Sequence, residues 1–132
     1  MTVGPVVRDV LSADFFDGTA RGEFLIRPCD DCGQVNEPQA QQCLACGSTN
    51  LGWSPASGGA TVVSWVIVHA KPAADRTSRG TALVVAELDE GPWWWGQVVD
   101  VDPERVGTGM RLTIDFERAG EQFEAVPVFR PA

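Results

Sequence analysis

The chain has 132 residues, a formal net charge of −8 and a hydrophobic share of 44%, enough for one ordinary domain or for a small domain with a metal-stapled appendage. The acidity, uninterrupted by any long block of Lys or Arg, argues against general attraction to nucleic acid or to anionic membrane. No run approaches the about 18 consecutive apolar residues that a bilayer span requires.

Met1 to Asp9 has no charged stretch leading into a continuous apolar run, so a secretory signal is not expected and the cytoplasm is the expected compartment. Residues 1–11 show no regular pattern. Ser12 is a good N-cap, followed by Asp14 in the first turn and the pair Phe15 and Phe16, which predicts a short helix to about Ala20, closed by Gly18 or Gly22. The two Phe rings either dock on the body of the protein or present an apolar face to a partner. Glu23 to Arg27 reads as a strand leading into the next segment.

That segment holds all the cysteines: Cys29-Asp-Asp-Cys32-Gly33, answered by Cys43-Leu-Ala-Cys46-Gly47. Two C-x-x-C-G units on facing turns place four thiolates around one tetrahedral ion, and zinc is the natural occupant. The glycine after each pair lets the chain turn sharply and aim N–H groups at the sulfurs. Four protein ligands close the coordination sphere, so the site reads as structural rather than catalytic. A rubredoxin-type iron site uses the same four sulfurs, and a pair of disulfides is the remaining reading. The short strands of this ribbon are expected at Gln34–Pro38 and Leu51–Ser54, and Ser57-Gly58-Gly59 is the expected joint to the rest.

Beyond the joint come five candidate strands at about 60–69, 81–88, 93–100, 110–117 and 122–130. Their number and spacing suggest a small barrel. The fourth alternates most cleanly, with Leu112, Ile114 and Phe116 on one face and Arg111, Thr113, Asp115 and Glu117 on the other. The first two are so continuously apolar that both their faces are expected to be covered. The expected fold is mainly β, with an N-terminal helical segment and lead-in strand at 1–26, a rubredoxin-like zinc ribbon at 27–56 and a five-stranded OB-type barrel at 57–132.

The chain resembles the zinc-ribbon/OB-fold acyl-CoA-associated proteins, a family long known only as a domain of unknown function. The resemblance rests on the Phe15-Phe16 helix, Gly22 to Leu25, both knuckles, Ser57 to Val62, Glu87 to Pro92, Val106 to Met110 and Val126 to Pro131, in that order. The loop His69–Arg79 and the triple tryptophan depart from the usual pattern. Members of that family look like partners of thiolase-superfamily enzymes, including the lipid-transfer-protein-like aldolases of steroid side-chain degradation. The resemblance implies an α2β2 assembly in which the thiolase-like subunit carries the reaction, an acyl-CoA thioester as shared ligand, and a fused or associated enoyl-CoA hydratase in some members.

The remaining residues offer little chemistry of their own. His69 is the only histidine and has no nucleophile-elbow motif beside it. Glu87, Asp89, Glu90, Asp100, Asp102 and Glu104 cluster beside Gly91 and Pro103, as solvated turns do. Lys71, Arg76 and Arg79 form the one local concentration of positive charge, which could meet coenzyme A phosphates. Strand alternation puts Trp93 and Trp95 on one face and Trp94 on the other; with Phe15 and Phe16 they are the candidate partner interface. The expected function is a non-catalytic subunit of an acyl-CoA thiolase or aldolase, with a stand-alone acyl-CoA-binding protein as the alternative. A single-stranded nucleic-acid module is a further alternative, which the missing positive track disfavours.

Overall fold

The structure is a computed structural model that describes residues 5–69 and 80–132. Helix α1 (Ala13–Ala20) begins where Ser12 predicts, although the serine hydroxyl makes no cap. Instead it donates to Asp9 Oδ1 at 2.8 Å, and the Ser12 N–H donates to the same oxygen at 2.9 Å, fixing a turn before the helix. Phe15 and Phe16 face inward and are buried. Gly18 also lies against the body: a Cβ there would sit 2.5 Å from Leu25 Cγ, so the missing side chain is what lets α1 pack this closely on the following strand.

The ribbon is a three-stranded antiparallel sheet of β1 (Leu25–Pro28), β2 (Val35–Asn36) and β3 (Ser54–Pro55), in the order β2-β1-β3. Its last strand falls later than Leu51–Ser54. Leu51 keeps a single bridge to Cys29, because the Arg27 guanidinium draws the Leu51 and Gly52 carbonyls at 3.1 and 3.3 Å. The same guanidinium lies 4.3 Å over the Trp53 ring and donates to Ala40 O at 2.8 Å, tying three parts of the ribbon together.

β4 (Gly59–Val68), β5 (Thr81–Leu88), β6 (Trp93–Val98), β7 (Arg111–Glu117) and β8 (Val126–Pro131) close a barrel in the order β4-β5-β6-β8-β7. β7 returns to β4 through Gly59↔Thr113 and Thr61↔Arg111, while β6 meets β8 in parallel at Val98↔Phe129. The last strand starts at Val126 rather than 122 because the preceding residues turn: Phe123 N bonds Gly120 O at 3.0 Å and Glu124 N bonds Val6 O at 2.8 Å.

Inward-facing Val62, Leu88, Leu112 and Phe129 fill the barrel and are essentially dry. Phe15, Phe16, Phe24 and Ile26 belong to the same cluster, so helix, ribbon lead-in and barrel share one core. The expectation that β4 is covered on both faces is corrected. A bulge between Val62 and Ser64 carries β4 away from β7, and Trp65, Val66 and Val68 stand 42%, 55% and 48% exposed. No helix among the described residues is long and apolar enough to cross a membrane.

Candidate functional site

The two knuckles bring the sulfurs of Cys29, Cys32, Cys43 and Cys46 within 4.8 Å of one another. Cys29 and Cys46 approach to 3.6 Å and Cys32 and Cys43 to 3.5 Å. A tetrahedral ion with metal–sulfur bonds of about 2.3 Å needs sulfurs about 3.8 Å apart, so the donor set fits one such ion with small adjustments. In each knuckle the chain reverses at a glycine in the left-handed region, Gly33 at φ +82° and Gly47 at φ +76°. Gly33 N then bonds Cys29 O at 3.0 Å, and Gly47 N bonds Cys43 O at 2.9 Å.

Electrostatics show why a cation belongs there. Burial opposes ionisation of Cys43, but the N–H groups of Cys46 and Ala45 and the Asn36 side chain outweigh it and bring the thiol down to about 6. Cys46 gains a bond from the Ser48 N–H yet is pushed up to about 12 by Cys32 and by burial. Four thiols this close do not ionise together without a positive charge among them.

Residues behind the sulfurs hold the geometry. Buried Asn36 accepts from Leu44 N at 3.1 Å and donates to Arg27 O and Gln34 O at 3.3 and 3.2 Å, linking β2 to the second knuckle. Asp31, next to Cys32, accepts from the Ser48 hydroxyl and from Asn50 Nδ2, at 3.1 Å for the latter, and these bonds hold its carboxyl below the usual range. Neither Asn36 nor Asp31 stood out in the sequence. An Asn within a short strand and an Asp inside a C-x-x-C are the signals that could have found them.

The tryptophans divide as alternation predicts. Trp94 points inward, its ring 5.0 Å from Phe24 and 5.7 Å from Phe15. Trp93 and Trp95 point out and are 54% and 69% exposed. Phe15 and Phe16 are 7% and 9% exposed, and of these five aromatics Trp93 and Trp95 are the ones that stand open to solvent.

Among the described residues, five of the six turn carboxylates, all but Glu104, have structural partners, although Glu90 Oε1 is buried without one. Asp89 accepts two hydrogen bonds from the Arg111 guanidinium at 2.8 and 3.1 Å, Glu87 accepts from Trp93 Nε1 at 3.2 Å, and Glu90 accepts from Ser57 N at 2.7 Å. Asp102 caps a short 3-10 turn at Pro103–Arg105. Asp100 joins Asp115 and Glu117 around Arg130, which bonds the latter two at 2.5 and 3.3 Å. His69 is exposed at the end of β4. Lys71, Arg76 and Arg79 lie outside the described residues. A cleft of about 450 Å³ opens between α1, the ribbon and the barrel, with Phe15, Phe16, Arg27, Trp94 and Pro127 on its walls.

A closed five-stranded OB-type barrel behind a zinc-ribbon-like cysteine cluster defines an OB-fold protein with an appended ribbon. A profile for the ChsH2 C-terminal OB-fold domain matches residues 53–117. A DUF35 domain-containing scaffold protein of Methanocaldococcus jannaschii is 32% identical over 94 residues, covering 70% of this chain and 67% of that protein. The chain belongs to the DUF35 family, of which the ChsH2 C-terminal OB fold is a member.

A 3-oxo-4,17-pregnadiene-20-carboxyl-CoA hydratase alpha subunit of Mycobacterium tuberculosis is 33% identical over 108 residues, or 80% of this chain. A probable enoyl-CoA hydratase alpha subunit of Thermomonospora curvata is 30% identical over 121 residues, or 92% of this chain. The chain spans only 34% and 37% of the length of these two. Among solved structures, a chain of an Ltp2-ChsH2(DUF35) aldolase superposes with a TM-score of 0.78 at 26% identity, covering 98% of both chains.

Proposed function

We propose that the chain is the accessory subunit of a thiolase-like enzyme, a retro-aldolase or thiolase that makes or breaks a carbon–carbon bond in an acyl-CoA thioester. In this reading two copies flank an enzyme dimer as an α2β2 heterotetramer, and the acyl group is steroid-derived. The carrying observation is the likeness over 98% of both chains to a chain of the Ltp2-ChsH2(DUF35) aldolase. The steroid-CoA hydratase subunit among the relatives adds the substrate class.

The chain's own residues contribute structure to this complex. The cysteine cluster holds zinc, which as a closed four-sulfur site supplies folding free energy rather than an open position for substrate. Glu87, Asp89, Asp100 and Asp102 are engaged in turns and ion pairs, and in this reading the reacting groups belong to the partner subunit. Lys71, Arg76 and Arg79 are assigned to the phosphates of coenzyme A on their chemistry alone.

The test is turnover of a steroid-derived β-hydroxyacyl-CoA, followed by release of the carbonyl product. The isolated chain should give none, and the chain together with its thiolase-like subunit should give robust cleavage. Robust cleavage by the isolated chain would refute the reading. Tight, stoichiometric acyl-CoA binding by the isolated chain, measured calorimetrically, would favour the carrier alternative, for which the cleft beside α1 is the available cavity.

A further inference from the structure

On the outside of the barrel five large apolar side chains lie without cover. Trp65, Val66, Val68, Trp93 and Trp95 are 42%, 55%, 48%, 54% and 69% exposed. The register gathers four of them on one three-stranded face, with Val66 opposite Leu83, Val68 opposite Thr81, Val85 opposite Trp95 and Glu87 opposite Trp93, while Trp65, opposite buried Val84, stands on the other side of β4 where that strand runs past β7. Trp65, Val66, Leu83 and Trp95 share the walls of one shallow depression of about 260 Å³. Taking aromatic side chains at about 150–250 Å² each, the patch presents on the order of 500 Å² of apolar surface. That is at the upper end of what monomers leave in contact with water. It is also more than half of the about 800 Å² that each side contributes to a specific interface.

A backbone feature coincides with the patch. β4 pairs with β7 only across Gly59–Thr61; beyond the bulge, Ser64–Val68 is paired on the β5 side alone among the described strands. An apolar strand with one free side is a template for a further strand.

Charge selects the occupant. The chain carries a net charge of −8, and among the outward strand positions of this face Glu87 is the charged one, with its carboxylate already bound to Trp93 Nε1. Two copies meeting here would set −8 against −8 and each would bring a Glu87 carboxylate to the contact, whereas a different protein with a basic rim would be attracted.

We propose that the outer face of β4, β5 and β6, with the Ser64–Val68 edge, seats the chain on the thiolase-like subunit of the preceding section. That subunit contributes an apolar centre, a basic rim and an extended segment that pairs with Ser64–Val68. The assignment rests on the subunit reading and adds to it the surface and the mode of docking.

The experiment uses the full chain and an Ltp2-type aldolase subunit as the probe, with hydrogen–deuterium exchange and titration calorimetry. Binding should protect the peptides that cover residues 64–68, 83–87 and 93–97. Val66→Arg and Trp95→Arg should each weaken binding at least tenfold while metal content and thermal midpoint stay near those of the parent. Leu44→Arg, on a knuckle where Leu44 is 84% exposed, should leave binding unchanged. A complex that forms with protection on α1 or the ribbon, and that tolerates Val66→Arg and Trp95→Arg, overturns the docking surface and leaves the subunit reading standing. Absence of any complex overturns both. Dimerisation of the chain alone, protected on this face and abolished by Val66→Arg, makes a second copy the occupant and overturns the choice of partner.

Discussion

Three adjacent tryptophans should respond to truncation in two different ways. Trp94 packs edge-on to Phe24, at 80° and 5.0 Å, and tilted against Phe15 at 5.7 Å, where α1, the ribbon lead-in and the barrel meet. Removing a buried Trp or Phe ring costs about 3–5 kcal/mol, and aromatic pairs add about 0.5–1.5 kcal/mol each. Trp94 keeps part of its surface in water, so the lower end applies: Trp94→Ala should cost about 3 kcal/mol and lower the thermal midpoint by about 10 °C. Trp93→Ala and Trp95→Ala remove rings that are 54% and 69% exposed, and each should cost less than about 1 kcal/mol. Urea unfolding of the metal-loaded protein, followed by far-ultraviolet circular dichroism, reads all three. If Trp95→Ala matched Trp94→Ala, or if Trp94→Ala cost under 1 kcal/mol, the division of the strand into a packed face and an open face would be wrong.

Purified protein should carry close to one zinc per chain by elemental analysis, and Cys43→Ser should lose it together with ordered knuckle signals. Full retention of metal by Cys43→Ser would contradict the four-sulfur site. Gly18→Ala should destabilise by about 1–3 kcal/mol despite alanine's better helix propensity, because its Cβ would collide with Leu25 inside the core; a neutral or stabilising result would contradict that contact. The Arg8 guanidinium bonds Glu124 at 2.9 and 3.0 Å and holds its carboxyl below the usual value. The stability linked to this depressed group is present above the unfolded value of about 4.3 and is lost as pH falls through the lower folded value. A carbon-13 titration should therefore place the Glu124 midpoint below about 4.3 and, in Arg8→Ala, return it toward that value; an unchanged midpoint in Arg8→Ala would show that the pair does not form in solution.

Much of this architecture is legible in local sequence. The cysteine spacing, with a glycine after each pair, leaves few arrangements other than facing knuckles, and the structure brings the four sulfurs together. Alternation along Leu112, Ile114 and Phe116 and turn residues at regular intervals marked the barrel strands to within a few residues. What local pattern could not supply depends on distant partners. The exposure of Val66 and Val68 follows from a bulge that carries β4 past β7, and an apolar run reads the same whether its second face is covered or bare. The late start of β8 depends on Val6, far away in sequence, taking the Glu124 N–H. Arg27 reads as an ordinary strand residue, yet it organises the ribbon through three carbonyls and the Trp53 ring.

The central claim is that the chain works as one half of an assembly. The most direct test is the mass of the particle formed when the purified chain is mixed with the thiolase-like subunit, read by light scattering during size-exclusion chromatography. The account predicts a single peak holding both proteins in equal number, with the mass of two copies of each. Separate elution of the two at micromolar concentration, with each keeping its own mass, would contradict it.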